Sequence, residues 1–167
     1  LAAQQASTLI YETPQEFFAS GDFDRDGRTD IIIVDKESGK YRLGYQSAAG
    51  MFSWVDCRPS GIKGIAGFSI GPLVAKDQAA AAFTSPDANQ ITLLDISSPT
   101  ATGKPVTVPF TAALGPNTVV AVDIGGAGNP PLADLAVGSI YNSPDPNLGV
   151  LLRNDGAEFP KLAEVTL

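Results

Sequence analysis

Short apolar or alternating runs, punctuated by Gly, Pro, Asn and Asp, recur along the whole chain. They predict strands at 31–34, 40–46, 80–84, 90–96, 106–109, 118–122, 135–138 and 149–153. With 17 Gly and 13 Pro among 167 residues, a long helix has little room. A single amphipathic turn near 14–19 is the one helical candidate. The predicted fold class is all-β. No run approaches the roughly 20 apolar residues of a membrane-spanning helix, so membrane insertion is not expected.

The strands fall into a repeat. Around residue 30 the order is Gly21-Asp22, an acidic loop, Asp30, the apolar run Ile31-Ile32-Ile33-Val34, a turn at Ser38-Gly39, the alternating run 41–46, then Gly50-Met51-Phe52. Near the C-terminus Val119-Val120-Ala121-Val122 leads to Asp123, a Gly-rich loop, Asp134 and Leu135-Ala136-Val137, then Leu148-Gly149, Val150-Leu151-Leu152, Asn154-Asp155-Gly156 and Phe159. Asp30 and Asp134 are two periods of about 52 residues apart. A fainter copy lies between them. Ile65-Ala66-Gly67-Phe68 takes the place of the first strand, 79–83 the slot of 31–34, and 90–95 the strand after it. In that copy Gln78 replaces the last Asp, while Ser69, Gly71 and Leu73 replace the earlier ones. Three repeats, at about 16–60, 61–112 and 113–162, each with about four short antiparallel strands, describe β-propeller blades within a single domain spanning 1–167. Three blades fall short of the roughly four to eight of a closed ring. The favoured expectation is a part of a larger propeller. Completion of the ring by another chain, or a compact solenoid-like stack, are the alternatives.

Composition narrows the chemistry. The net charge of −7 argues against a nucleic-acid partner, which would need clustered Lys and Arg. Histidine is absent, which removes Ser-His and Cys-His catalysis and any zinc site built on His. Cys57 is alone, so no disulfide can form within the chain, and a lone Cys is expected to be a small buried hydrophobe.

The densest signal is Asp22-Phe23-Asp24-Arg25-Asp26-Gly27-Arg28-Thr29-Asp30. Carboxylates at positions one, three, five and nine, with Gly at six, wrap a short loop around one hard cation, and calcium suits such oxygen donors. Asp22, Asp24, Asp26 and Asp30 supply side-chain oxygens. Arg28 supplies its backbone carbonyl and turns its side chain to solvent. An EF-hand would need flanking helices and a Glu at position twelve, yet that position is Ile33 within an apolar, β-branched run. The loop therefore joins two strands. Asp and Gly also favour turns that hold no metal, but four alternating acids exceed what a turn requires. The third repeat keeps Asp123 and Asp134 but has Gly125 and Ala127 at the intervening positions, with Asn129, Pro130 and Pro131 reshaping the loop, so a second ion there is not expected.

The run 18–34, with Gly138, Gly149 and Phe159 later, resembles the FG-GAP repeat, also described as the VCBS-like repeat, of integrin alpha-chain propellers and many secreted bacterial proteins. That resemblance implies one calcium ion held by Asp22, Asp24, Asp26, the Arg28 carbonyl and Asp30. It also implies an extracellular or secreted setting and a binding, adhesion or scaffold role toward a protein or carbohydrate. Tyr45, Trp54 and Tyr141 are candidates for stacking on sugars, with ordinary packing as the commoner role of such rings. The alternative is a portion of a secreted polysaccharide lyase or hydrolase. No pair of carboxylates outside the loop suggests acid–base work, so a non-enzymatic role is favoured.

Overall fold

A computed structural model describes residues 8–100, 104–108, 115–124, 132–139, 148–156 and 158–166. Among these residues there is no helix, and the strands form three antiparallel sheets. The first sheet holds β1 (Leu9–Glu12), β2 (Glu16–Gly21), β3 (Asp30–Asp35), β4 (Lys40–Gln46) and β5 (Phe52–Trp54) in chain order, with β6 (Arg58–Pro59) also paired to β4. The second runs from β7 (Gly67–Gly71) through β8 (Ala80–Ser85) and β9 (Gln90–Asp95) to β10 (Val106–Thr107). The third runs from β11 (Pro116–Val122) through β12 (Asp134–Ser139) and β13 (Leu148–Leu152) to β14 (Lys161–Thr166). Each is a meander, with neighbours in sequence adjacent in space, apart from β6, which returns to pair with β4.

Residues 16–21 form a strand, not the helical turn considered near Pro14. Their burial alternates with period two, because one face of Glu16–Gly21 lies on the core and the other does not. Thr13 closes the preceding turn by accepting the amide of Glu16 on its hydroxyl at 2.8 Å.

The three sheets stack face to face, giving two seams. The first is filled by Phe17, Ile32, Val34, Tyr41, Leu43 and Tyr45 from one side and Phe68, Ala81, Phe83, Leu94 and Ile96 from the other. Phe68 lies 5.6 Å from Phe17 and stacks on Phe83 at 5.5 Å. The second seam sets Ala80, Ala82, Ile91 and Leu93 against Val119, Leu135, Val137, Val150 and Leu152. The middle sheet is thus covered on both faces, and every residue of β8 is buried. That double burial explains the alanine run at 79–82, since large side chains on both faces would hold the outer sheets apart.

The register corrects the alignment of the middle repeat. Asp30 pairs with Gly21, Ala80 with Gly71, and Asp134 with Val122. Ala80, not Gln78, therefore holds the position of Asp30, and 81–84 rather than 79–83 matches 31–34. Cys57 is exposed, contrary to the expectation of burial. Lys36, from a charge-bearing turn, is drawn inward over the Phe17 ring at 4.3 Å and donates to the Thr13 carbonyl at 2.7 Å.

Candidate metal centre

The acidic loop, residues 22–29, links β2 to β3 on one edge of the first seam. Its turn is made by Arg25 at φ 65° and Gly27 at φ 85°, both left-handed. No atom lies within 4 Å of a Cβ placed on Gly27, so the backbone angle alone favours glycine there. Phe23 points the other way and is 1% exposed, packed in the first seam. It anchors the loop, a role that the sequence reading did not assign. An aromatic residue between two aspartates was the available signal.

Asp30 is fully buried. Its Oδ2 accepts the amides of Phe23 at 2.9 Å and Asp24 at 3.4 Å, and its Oδ1 accepts that of Gln46 at 3.0 Å. One carboxylate thereby ties the loop, β3 and the end of β4 together. Asp22 Oδ2 accepts the Gly27 amide at 2.9 Å, and Asp24 Oδ1 accepts that of Asp26 at 3.2 Å. Asp22, Asp24 and Asp30 each bring one carboxylate oxygen to a common point, with those atoms within 4.8 Å of one another.

Three of the four expected carboxylates therefore converge. Asp26 does not join them. Its oxygens take the Arg28 amide at 2.9 Å and the Arg28 guanidinium. The Arg28 side chain does not extend freely into solvent as expected, because its Nε donates to the Gln46 carbonyl at 2.6 Å. The guanidinium bridges the loop to the end of β4 and competes for the third aspartate.

The electrostatics of the group are unfavourable without a cation. Asp24 is pushed above the ordinary carboxylate range, chiefly by burial and then by the neighbouring charge of Asp30. Asp30 is also raised by burial, against the lowering effect of the amides it accepts. Asp22 Oδ1 is a buried oxygen with no hydrogen-bond partner. An orphaned acceptor beside two raised carboxylates is costly, and a hard cation among them would satisfy all three.

The equivalent loops separate what the turn needs from what it does not. Residues 72–79 join β7 to β8 and match 22–29 in length. Pro72, Val74, Lys76 and Ala80 stand where Asp22, Asp24, Asp26 and Asp30 stand, and Leu73 replaces Phe23 as a buried anchor at 2% exposure. Asp77, at the position of Gly27, is also left-handed at φ 59°, whereas Ala75, at the position of Arg25, is not. Backbone groups do the carboxylates' work there: the Leu73 amide donates to the Gly71 carbonyl at 2.9 Å, and the Ile96 amide to that of Ala79 at 3.0 Å. In the third sheet Asp134 repeats the tie made by Asp30, accepting the amides of Ile124 at 3.2 Å and Asn154 at 2.7 Å. Asp123 is exposed, and Gly125, Ala127 and 129–131 lie outside the described residues.

Between the first two loops lies an open cleft of about 480 Å³, lined by Asp22, Arg25, Asp77 and Gln78 among others. Of the candidate sugar-stacking rings, Tyr45 is buried and donates its hydroxyl to the Ile96 carbonyl at 2.9 Å, so it cannot serve. Burial holds its phenol well above the usual range. Trp54 is 42% exposed, and Tyr141 lies outside the described residues. No family model matches the chain, and no curated protein matches it.

Proposed function

We propose that the chain is a calcium-stabilised binding and scaffold module made of propeller-type blades, working in a calcium-rich setting outside the cell. One observation carries this reading. Loops 22–29 and 72–79 share length, a buried anchor and a left-handed residue at the sixth position, yet only the first has the acidic set. Joining these strands does not require those acids, so their convergence calls for a ligand. Asp22, Asp24 and Asp30 would hold the ion. Asp26 would join them by exchanging its contact with Arg28 for the metal, and the Arg28 carbonyl would complete the set. A carboxylate-only site without nitrogen or sulfur donors suits calcium, whose coordination is larger and more flexible than that of magnesium.

The ion's part is to fix the loop that forms one wall of the cleft. Arg25 on that wall and Asp77 and Gln78 on the other offer paired polar contacts for a protein or carbohydrate ligand across the two blades. The propeller reading is supported by three successive meanders that stack through equivalent faces and by the Asp30 tie that recurs at Asp134.

Thermal melting tests the proposal. Calcium in millimolar excess should raise Tm above the chelator value, and magnesium should do so less. Stabilisation of about 2.7 kcal/mol is expected at a hundredfold excess over Kd. Asp24→Asn should abolish the response while leaving the chelator Tm equal or higher. Identical wild-type melts in calcium and chelator would sink the reading.

A further inference from the structure

The two ends of the stack carry faces that are buried everywhere else in it. In the first sheet, the face turned away from the first seam bears the cross-strand rows Phe18, Ile33, Arg42 and Ser20, Ile31, Gly44, Trp54. The same register in the second sheet gives Phe68, Phe83, Thr92 and Ile70, Ala81, Leu94, and those rows meet the preceding sheet. In the third it gives Val119, Val137, Val150 and Ala121, Leu135, Leu152, which do likewise. The outer face of the first sheet is thus a receiving face on which, among the described residues, no further sheet is seated. β1 extends it with Leu9 and Tyr11, 67% and 70% exposed.

The opposite end presents a donor face. Its rows are Thr118, Gly138, Gly149 and Val120, Ala136, Leu151, with Val120 55% exposed. In the second sheet the equivalent rows, Gly67, Thr84, Ile91 and Ser69, Ala82, Leu93, are seated on the third sheet. That face mixes Gly67, Ser69, Ala82 and Thr84 with Ile91 and Leu93. The free donor face has the same mix, Gly138, Gly149, Ala136 and Thr118 with Val120 and Leu151, and the free receiving face offers it Phe18, Ile31, Ile33 and Trp54.

We infer that a second copy of this chain docks head to tail, with the third sheet of one copy seated on the first sheet of its partner. The contact pairs the same two faces, in the same register, that meet in the existing seams. It is heterologous, since different faces meet, so two copies that satisfy both contacts close into a ring of six sheets. This inference does not rest on the metal, and its failure would leave the calcium reading untouched.

Sedimentation velocity from about 1 to 100 μM protein, in reductant because Cys57 is exposed, tests the pairing in both calcium and chelator. The expected result is a concentration-dependent doubling of mass. Val120→Arg and Ile33→Glu, on opposite ends, should each give monomers whose Tm is unchanged when compared at monomeric concentrations, with Thr118→Lys and Arg42→Glu as second variants should either fail to fold. An equimolar mixture of Val120→Arg and Ile33→Glu should regain the dimer, because one contact is native and the other pairs Arg with Glu. A monomer at every concentration would overturn the inference. So would a dimer broken by Ile33→Glu but not by Val120→Arg, which would mean that like faces meet.

Discussion

The two seams solve the same packing problem in opposite ways. The first is wide and ring-filled, with Phe17, Phe68 and Phe83 in contact, and Phe23 of the acidic loop packed into it. The second is so narrow that a Cβ on Gly67 would lie 2.7 Å from the Thr118 Cα. There the sheets are stitched by polar groups: the Ala121 amide donates to Ser69 Oγ at 2.9 Å, and the Asn154 side-chain amide donates across to the Leu73 carbonyl at 2.8 Å. Large rings in a seam give stability through area removed from water. Close backbones give it through contacts that tolerate no added atom. The carboxylate-rich loop is joined to the wide seam and the neutral loop to the narrow one.

Deleting atoms should hurt the first seam most. Phe83→Ala removes a fully buried ring from its centre and should cost about 3–5 kcal/mol by urea denaturation. A loss below about 1 kcal/mol would mean that the rings are not what joins these sheets. The second seam should be most sensitive to addition. Gly67→Ala places a methyl 2.4 Å from Thr84 Oγ1 and against the β11 backbone, and about 1–3 kcal/mol should be lost. Equal stability with wild type would show that the seam can widen and would erase the contrast. Smaller still, Tyr45→Phe removes the single side-chain hydrogen bond to Ile96 and should cost about 1 kcal/mol.

The smallest effect concerns protons. Asp24 and Asp30 are raised by burial, so without metal they favour folding when protonated, and that contribution is lost as pH rises through their raised values. Calcium needs them ionised. The gap in Tm between calcium and chelator should therefore be widest near neutral pH and shrink as pH falls, beginning above the usual aspartate range. A gap that is flat until that usual range would place the ion away from these two groups.

Much of this was legible in the sequence, and the failures have physical reasons. The strand expected at 40–46 coincides with β4, whose first four residues alternate between exposed and buried. In the middle repeat the expected place of the last Asp falls two positions early and those of the first three fall three early, because β8 is buried on both faces and a doubly covered strand has no alternation to set its phase. The acidic spacing foretold a cluster, and three of its members converge. It could not foretell that Arg28, two residues on, would hold Asp26 aside. β1 was missed because all of its residues are exposed, so burial leaves no periodic trace in it.

Lys76 at the position of Asp26 has one further consequence. A strand-to-strand link of fixed length that closes with a lysine or an aspartate at that point behaves as a cassette, in which the connection and its ion chemistry are inherited separately. Metal response could then be gained or lost blade by blade during repeat duplication without disturbing the stack. In the laboratory, the acidic segment should be transplantable into the second sheet as a unit.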